Sequence, residues 1–338
     1  MAGRGTGGRG GGSAPPQEGA GSPRGAGPVN CGTVALVGRP NAGKSTLLNR
    51  LVGEKVSIVS DKPQTTRHRI AGIVNEARGQ IVLFDLPGVH RPLHRMNVRM
   101  MHVLRDTMAE VDVVVQLFDA SQPPGEGERF VTRLVAECGT QAVLVANKCD
   151  LAAARRRLDE RFAFYTASHT YAERVALSAL TGAGTERLLA ALFALLPAGE
   201  PWLDPTLSTT QSERFFIAEL IREAVLERVE QELPFTTAVH VRHLEEEEGE
   251  RGPLLRVWAD VVVERPSQKA IVVGRGGQVI RDIGSRARRQ MEALLGARVF
   301  LDLRVKARRR WRDDTGFLRE LEPLEAVGVA VGEGEEEG

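Results

Sequence analysis

The segment from Gly38 to Ser45 has the composition and spacing of a phosphate-binding loop. It matches the pattern GxxxxGK[ST] and directly follows the apolar run Thr33 to Val37. In such a loop the backbone N–H groups surround the α- and β-phosphates, the lysine reaches the β- and γ-phosphates, and the hydroxyl ligates Mg²⁺. The residues that we expect to contact phosphate here are Gly38, Arg39, Pro40, Asn41, Ala42, Gly43, Lys44, Ser45 and Thr46.

A second motif, the NKxD sequence from Asn147 to Asp150, selects the base. It directly follows the apolar run Gln141 to Ala146. The carboxylate of the aspartate can accept hydrogen bonds from N1–H and the 2-amino group of guanine together, whereas adenine would leave this charge unpaired. The segment Ser178 to Leu180 follows the next strand and would support the base with a main-chain N–H. The predicted guanine-binding residues are Asn147, Lys148, Asp150, Ser178, Ala179 and Leu180.

A DxxG motif, Asp85 to Gly88, follows the apolar run Ile81 to Phe84. We expect Asp85 to hold Mg²⁺ through a water and Gly88 to donate its N–H to a γ-phosphate until hydrolysis. A threonine between the two motifs can complete the Mg²⁺ shell together with Ser45. Asp85 and Gly88 thus join the phosphate-binding set, and the predicted switch residues are Gln64, Thr65, Thr66, Arg67, His68 and Val89.

Short apolar runs alternate with segments of helical periodicity from Thr33 to about Pro197. This alternation predicts a mostly parallel sheet with helices on both faces, in which ligand loops lie at the carboxyl ends of the strands. The fold class is therefore an α/β P-loop domain. The predicted strands are Thr33 to Val37, Ala71 to Val74, Ile81 to Phe84, Val111 to Phe118, Gln141 to Ala146 and Arg174 to Leu177, and the helices are Thr46 to Val52, Asn97 to Ala109, Glu126 to Cys138 and Thr185 to Leu196.

The second half of the chain has a different pattern, which predicts a small α+β domain after a linker from Pro197 to Pro205. Its middle is strongly basic, because residues 265–312 contain 14 Lys or Arg and three Asp or Glu. The predicted elements are a helix from Gln211 to Leu233 ended by Pro234, strands Thr236 to Val241 and Leu254 to Val263 joined by an acidic hairpin loop at Glu245 to Arg251, a strand continuation at Ala270 to Val273, a helix from Gln278 to Leu295 with Met291, Leu294 and Leu295 facing inward, and a last strand from Arg298 to Lys306.

A GxxG loop, Gly274 to Gly277, lies inside this order of elements. KH domains use such a loop to clamp single-stranded RNA against a helix N-terminus, although a tight turn is the simpler reading. Trp311 suits either base stacking or core packing, and Arg308 to Arg310 suit either phosphate contact or a solvated face. The predicted RNA contacts are Gly274, Arg275, Gly276, Gly277, Arg281, Lys306, Arg308, Arg309 and Arg310.

The length of 338 residues suits two domains, and the formal net charge of +1 indicates neither nucleic acid nor membrane by itself. We predict a disordered Gly/Ala/Pro-rich tail at 1–30, a GTPase domain at 31–200, an RNA-binding domain at 201–325 and an acidic disordered tail at 326–338. The three cysteines indicate neither zinc nor a disulfide framework. No segment approaches the roughly 18 apolar residues of a membrane span.

The motifs GRPNAGKST, PQTTRHRI, DLPGVH, NKCD and SAL resemble those of translation-factor-related GTPases, and within that class the Era family of ribosome-assembly GTPases. VVGRGGQVIRDIGSRAR and LRVKARRRWRDD resemble the type II KH domain of the same family. The resemblance implies GTP hydrolysis with Mg²⁺ as a timer, with Thr66 rather than Thr65 on the metal, and allows a potassium ion near Asn41. It also implies binding of the 3′ end of 16S ribosomal RNA during assembly of the 30S subunit.

One residue departs from the general GTPase pattern. Val89 follows Gly88, where Ras-like proteins place a water-orienting glutamine, so slow intrinsic turnover is expected and no general base can be named. We expect a monomeric cytoplasmic protein, with peripheral contact to the inner face of the membrane as a further expectation. Two alternatives stay open, an RNA-binding adaptor with a structural GTPase half, and a GTPase of tRNA modification or protein targeting, which the lack of a C-terminal cysteine nucleophile and of methionine-rich helices disfavours.

Overall fold

The computed structural model describes residues 29–62, 64–89, 95–230, 232–249 and 252–321. The predicted C-terminal tail lies wholly outside these residues, and so does the predicted N-terminal tail except for Val29 and Asn30, which begin a strand instead of ending a disordered segment. Across the described ranges, no helix combines the length and the apolar character that crossing a membrane requires.

The first region, up to Gly199, is built on one sheet. Its strand order is β2-β3-β1-β4-β5-β6, with β2 antiparallel to β3 and the remaining neighbours on this path parallel. The strands are β1 (Val29–Val37), β2 (Ile70–Glu76), β3 (Gly79–Asp85), β4 (Val113–Asp119), β5 (Ala142–Asn147), β6 (Glu173–Ala176) and β7 (Ala198–Gly199), and the helices are α1 (Lys44–Val52), α2 (Arg95–Glu110), α3 (Glu126–Cys138), α4 (Ala152–Arg155), α5 (Leu158–Thr166) and α6 (Thr185–Leu195).

Helices cover both faces of this sheet because successive strand residues point to opposite sides. Val34 and Leu36 of β1 pack in a core with Leu47 of α1 and Leu188 of α6. Ala35 and Val37 face the other way, towards a core that includes residues of α2 and α3. The predicted α/β P-loop architecture is confirmed, and the carboxyl ends of β1, β3 and β5 meet at one edge of the sheet.

The second region is a three-stranded sheet covered by helices on one face. The strand order is β10-β9-β8, with β9 and β10 parallel and β8 and β9 antiparallel. The elements are α7 (Glu213–Arg228), α8 (Leu233–Thr236), β8 (Ala238–Gly249), β9 (Gly252–Val263), α9 (Pro266–Val273), a 3₁₀ turn (Arg275–Gly277), α10 (Gln278–Leu295), β10 (Arg298–Ala307), a second 3₁₀ turn (Trp311–Asp313) and α11 (Thr315–Glu320).

The strand predicted at Ala270 to Val273 is wrong, because this segment is the end of helix α9. Pro266 stands in the first turn, where a missing N–H costs nothing, and the Gln268 side chain accepts from the N–H groups of Glu264 and Arg265, both at 3.0 Å. A short apolar run is ambiguous between a strand and a buried helix. The caps at its start decide for the helix, and the order becomes helix, two strands, two helices and a strand.

Other element boundaries also differ from the prediction. The acidic segment predicted as a hairpin loop continues β8 as far as Gly249, since its glutamates alternate across a strand whose partner is β9. Helix α7 ends at Arg228, and Pro234 lies in the first turn of α8 rather than ending α7. Leu294 was predicted to face inward but is exposed, whereas Ile283, Ala287 and Met291 form the buried face of α10.

The predicted linker is attached to the first region along part of its length. Ala198 and Gly199 form β7, which pairs with the start of β1. The N–H groups of Trp202 and Leu203 both donate to the Gln80 side-chain oxygen at 3.0 Å. The segment between the two sheets is therefore anchored to β3, because the buried Gln80 side chain accepts hydrogen bonds from its backbone. The proline-rich sequence of the segment gives no sign of this contact.

Candidate nucleotide site and nucleic-acid interface

The phosphate loop joins the end of β1 to the start of α1, as its sequence predicts. A Cβ atom on Gly38 would lie 2.3 Å from the Leu117 backbone oxygen. Gly43 has φ +97°, and a Cβ there would lie 2.3 Å from Asn147 Nδ2. Both positions accept only glycine, which lets the loop fold tightly against the N-terminus of α1, where free N–H groups and the helix dipole favour an anion.

Lys44 is buried beneath this loop. Its Nζ donates to the backbone oxygens of Gly38 and Arg39, both at 3.2 Å. Burial lowers the pKa of the Lys44 amine, and the charges of Asp85 and Glu128 oppose that shift. The lysine thus holds the two ends of the loop together and places its charge under the predicted phosphate position.

Four oxygen-bearing side chains meet beside the loop, since Ser57 Oγ also donates to Asp85 Oδ2 at 3.2 Å. Asp85 Oδ2 at the end of β3 lies 2.5 Å from Ser45 Oγ and 3.1 Å from Thr66 Oγ1, and the two hydroxyls are 3.0 Å apart. Asp85 Oδ1 is buried and has no hydrogen-bond partner among the described residues. Burial raises the pKa of the Asp85 carboxyl, so a bound divalent cation would favour its ionised form. Hard oxygen donors of this kind suit Mg²⁺.

The two candidate threonines point in different directions. Thr66 faces the carboxylate, whereas the Thr65 hydroxyl donates to the Lys62 backbone oxygen at 2.6 Å. Gln64 and Gly88 line the same small cavity as the phosphate loop. The Val89 N–H donates to the Gly38 oxygen at 3.2 Å and its side chain is buried, so it presents no polar group to a water.

Asn147 connects the phosphate loop to the guanine loops. Its Nδ2 donates to the Ala42 oxygen at 2.8 Å, and its Oδ1 accepts from the Ala179 N–H at 2.9 Å. The residue is buried at the end of β5. One side chain therefore fixes the distance between the phosphate half and the base half of the site.

The other guanine-site residues surround this connection. Lys148 has φ +64° and its Nζ lies 2.7 Å from Asp119 Oδ2. Within the described residues the Asp150 carboxylate has no hydrogen bond or ion pair, which leaves both oxygens available to a base. Ser178 is buried, whereas the side chain of Leu180 is exposed.

Asp119 and Glu128 belong to this site but were not predicted. Burial alone would raise the pKa of Asp119, but hydrogen bonds from Lys148 and Ser121 outweigh it and leave the pKa below its usual value. Burial raises the pKa of Glu128, with the charge of Arg39 opposing the shift. Asp119 ends β4 at the same sheet edge as the known motifs, and this position was the signal that could have revealed it.

Two predicted switch residues lie at the contact with the second region rather than at the phosphates. Arg67 donates from Nη1 to the Thr237 oxygen and from Nη2 to the Pro234 oxygen, both at 2.7 Å. Burial and the neighbouring Arg222 charge lower the pKa of Arg67 to about 9. The His68 ring meets the Phe215 ring edge-on with centroids 5.4 Å apart.

The GxxG loop lies at the N-terminus of α10. Gly274, Gly276 and Gly277 all have positive φ, between +59° and +76°, which explains the glycines. Arg275 is exposed at the tip, and Arg281 is exposed one turn into the helix. Backbone N–H groups at the start of an 18-residue helix, with exposed cations beside them, suit the phosphates of a nucleic acid.

The basic residues after β10 differ in how far they are already paired. Lys306 pairs with Asp260 at 2.6 Å, Arg308 with Asp314 at 2.6 Å, and Arg310 with Asp313 at 3.5 Å. Arg309 is exposed and has no ion pair among the described residues. Its charge is therefore the least compensated of the four.

Trp311 packs in the core, which decides between the two readings of this residue. It is fully buried and its Nε1 donates to the Thr236 oxygen at 2.9 Å. Its cluster includes Met96 and Met100 of α2, so it fills the contact between the two regions. It cannot stack on a base in this position.

The fold and the two sites define a P-loop GTPase joined to a KH domain. Residues 33–148 match the family model described as 50S ribosome-binding GTPase, and residues 242–312 match the KH domain model. The chain is 40% identical over 291 residues to GTPase Era of Heliobacterium modesticaldum, covering 86% of this chain and 96% of the relative. It is 43% identical over 294 residues to GTPase Era of Geobacter metallireducens, covering 87% and 98%. The chain belongs to the Era family of GTPases.

Solved structures agree with this assignment. Era in complex with MgGDPNP and nucleotides 1506–1542 of 16S ribosomal RNA has a TM-score of 0.82 and 32% identity, covering 87% of this chain and 98% of that one. An Aquifex aeolicus Era variant bound to GDP·AlF₄⁻ has a TM-score of 0.80 and 32% identity, covering 87% and 99%. Both matches include the GTPase and the KH domains in one chain.

Proposed function

We propose that this chain is a GTP-hydrolysing switch that binds the 3′ region of 16S ribosomal RNA through its KH domain and acts in 30S subunit assembly. The observation that carries the proposal is the fold shared over nearly the whole chain with an Era that was solved with both ligands. The exposed GxxG loop and the tightly organised phosphate site support the two halves of the proposal separately.

The residues of the phosphate site have distinct roles in this proposal. Lys44 and the loop N–H groups bind the phosphates, and Ser45, Thr66 and Asp85 would hold Mg²⁺, which neutralises charge on the β- and γ-phosphates when bound. Loss of the γ-phosphate would remove the hydrogen bond from the Gly88 N–H. Thr66, which contacts Ser45 and Asp85 beside the phosphate loop, is the switch residue that we propose to respond to this loss.

The protein offers specific side chains to the guanine base but none, at the usual position, to the attacking water. Asp150 binds guanine at N1–H and the 2-amino group, and Asn147 keeps this loop in register with the phosphates. The residue after Gly88 is Val89, whose apolar side chain cannot orient a water, so we propose slow turnover of the isolated chain. Neutralisation of the developing charge then falls to Lys44, to the backbone and to bound cations.

A potassium ion beside Asn41 is a further part of the proposal. Asn41 has φ +65°, and its Nδ2 donates to the Asp61 oxygen at 2.7 Å, which leaves its side-chain oxygen for a cation. Monomeric behaviour, the contact with the 30S subunit, a cytoplasmic location and a peripheral membrane contact stay predictions of the same family assignment.

The proposal is tested by measuring nucleotide binding by calorimetry in magnesium buffer and RNA binding with a 16S ribosomal RNA fragment of nucleotides 1506–1542. We expect GDP and GTP to bind with ATP excluded, GTP to be hydrolysed slowly, and the fragment to bind more tightly than an RNA of scrambled sequence. Absence of guanine nucleotide binding by the folded chain would overturn the switch. Equal binding of the scrambled RNA would overturn the assigned target.

A further inference from the structure

The loop between α1 and β2, here called the switch loop (described residues 54–62 and 64–69), is held by the KH domain on both sides of Thr66. Arg222 on α7 donates to the Thr65 backbone oxygen. Arg67 donates to two backbone oxygens of residues 234–237, which precede β8. Arg222 is itself fixed by Glu219, with Nε and Oε1 2.7 Å apart.

Glu223, the next residue of α7, makes a second connection. Its Oε1 accepts from the Val59 N–H at 2.8 Å, and its Oε2 lies 2.5 Å from both Lys55 Nζ and Gln290 Nε2. Val59 and Lys55 belong to the switch loop, whereas Gln290 belongs to α10. The carboxylate is buried, where hydrogen bonds are stronger than at an exposed site. A single side chain thus joins the switch loop to the helix that begins at the GxxG loop.

A shift of the Thr66 backbone away from Ser45 and Asp85 pulls on Thr65 and Arg67, because consecutive Cα atoms are fixed at about 3.8 Å. They would then break buried hydrogen bonds with the KH domain or take α7 with them. Helix α7 packs on α10 in one core that includes Ile221, Ile283 and Met291, so displacement of α7 moves α10.

We propose that Arg222 and Glu223 are positioning residues that couple the state of the phosphate site to the placement of α10 and its RNA loop. The inference rests on the proposed function, because it requires one chain that binds both GTP and RNA. Coupling of two ligands is a free energy shared between their sites, so the nucleotide changes RNA affinity by the same factor as RNA changes nucleotide affinity.

Two variants each remove one of these connections with little change in packing. Glu223→Gln keeps the shape but replaces one acceptor oxygen with an NH₂ group that cannot accept from Lys55 or Gln290. The double variant Arg222→Met with Glu219→Leu removes the contact to Thr65 together with one cation and one anion, so the net buried charge is unchanged, and apolar replacement of a buried ion pair is often neutral. Arg228→Gln is the matched control, since Arg228 pairs α7 with Asp282 of α10 but does not touch the switch loop.

The test measures the dissociation constant of the 1506–1542 RNA fragment for each protein with GDP and with a non-hydrolysable GTP analogue. Analogue affinity with and without RNA gives the reciprocal factor, and thermal unfolding checks the fold. For the unaltered chain we expect a ratio of the two RNA constants within the usual 5- to 150-fold range of coupled sites. Each variant should bring this ratio closer to one by about 2- to 30-fold, because one connection is lost while Arg67 keeps its own, and Arg228→Gln should keep the ratio.

Each outcome has a separate meaning. A merely structural role would lower the unfolding temperature and leave the ratio of RNA constants unchanged, and this result would overturn the inference. An equal fall of the ratio in Arg228→Gln would also overturn it, because loss of any contact between α7 and α10 would then weaken the coupling without involving the switch loop. If the unaltered chain binds no nucleotide or no RNA, the proposed function fails instead.

Discussion

Lys44, Asp85 and Asn147 of the phosphate site are 6%, 0% and 2% exposed, whereas Arg275, Arg281 and Arg309 of the RNA-binding half are exposed. The side chains of the first group are held by hydrogen bonds to backbone atoms and to neighbouring loops of the protein itself. The second group is spread over the surface, with Arg275 in the GxxG loop, Arg281 one turn into α10 and Arg309 just after β10. A small ligand with fixed geometry binds best to side chains that are held rigidly in place, whereas a polynucleotide is bound through many phosphate contacts that salt screens.

The largest effect is expected from a variant that disrupts base recognition in the nucleotide site. Asp150→Asn removes the charge that accepts from guanine N1–H and the 2-amino group, so GTP affinity should fall by about 100-fold or more. Xanthosine nucleotides should gain relative to guanosine nucleotides, because the amide donates where the carboxylate accepted. Calorimetry with both nucleotides measures the change. Asp159→Asn, at an exposed position of α5, is the control, and unchanged GTP preference in Asp150→Asn would count against the assignment of this loop.

The second effect breaks the exposed site. Gly276→Asp places a negative charge in the GxxG loop, where φ is +59° and the added Cβ meets no atom within 4 Å. RNA affinity should fall by about 10- to 100-fold through repulsion of phosphate, while GTP affinity stays the same. Gly296→Asp provides the control at the other end of α10, with φ +65° and equally open space. Equal RNA affinity in both variants would remove the KH loop from the binding site.

A third change tests whether the two sites differ in their contribution to stability. Asn147→Ala leaves the buried Ala179 N–H and the Ala42 oxygen without a partner, so the free energy of unfolding should fall by about 2–3 kcal/mol. Arg275→Ala should change it by less than about 0.5 kcal/mol, as exposed substitutions usually do. Denaturant unfolding measures both. A loss in Arg275→Ala as large as in Asn147→Ala would contradict the contrast between the sites.

The smallest effects are expected from alanine variants of two neighbouring basic residues, Arg308 and Arg309, which differ in whether they are ion-paired. Arg309 has no ion pair within the described residues, whereas Arg308 pairs with Asp314 and lies 4.2 Å from the centroid of the Phe317 ring. Arg309→Ala should weaken RNA binding about threefold and lower the salt dependence of binding, with stability unchanged. Arg308→Ala should instead lower the unfolding free energy by about 0.5–1 kcal/mol. Salt titrations of RNA affinity together with thermal unfolding separate the two.

The nucleotide motifs could be placed from the sequence because each one is local. A phosphate loop, a DxxG turn and an NKxD turn each follow a buried strand, and parallel strands bring their carboxyl ends to one edge. Helix Glu126–Cys138 and helix Gln278–Leu295 were predicted with the bounds that the structure shows, since an amphipathic pattern flanked by glycine is a strong signal.

Features set by contacts between distant residues could not be predicted. The strand predicted at Ala270 to Val273 is an exception, because the signals that make this segment helical, Pro266 and the Gln268 cap, lie only a few residues away. Trp311 suits both stacking and packing until the Thr236 oxygen and α2 are brought against it. The inward turn of Arg67 and the contacts of Arg222 and Glu223 join residues about 160 positions apart, and no local periodicity records such pairs.

The sequence by itself determined the chemistry of this protein, because glycine spacing, the lysine, the carboxylates and the GxxG loop act through short segments whose geometry the local chain dictates. Only the tertiary structure decided how the two halves meet. It buries Arg67, Arg222 and Glu223 between the switch loop and the KH helices, where each charge finds a partner that is distant in the chain. The physical reason is that a buried charge is tolerated only with its partners, and packing rather than sequence order supplies them.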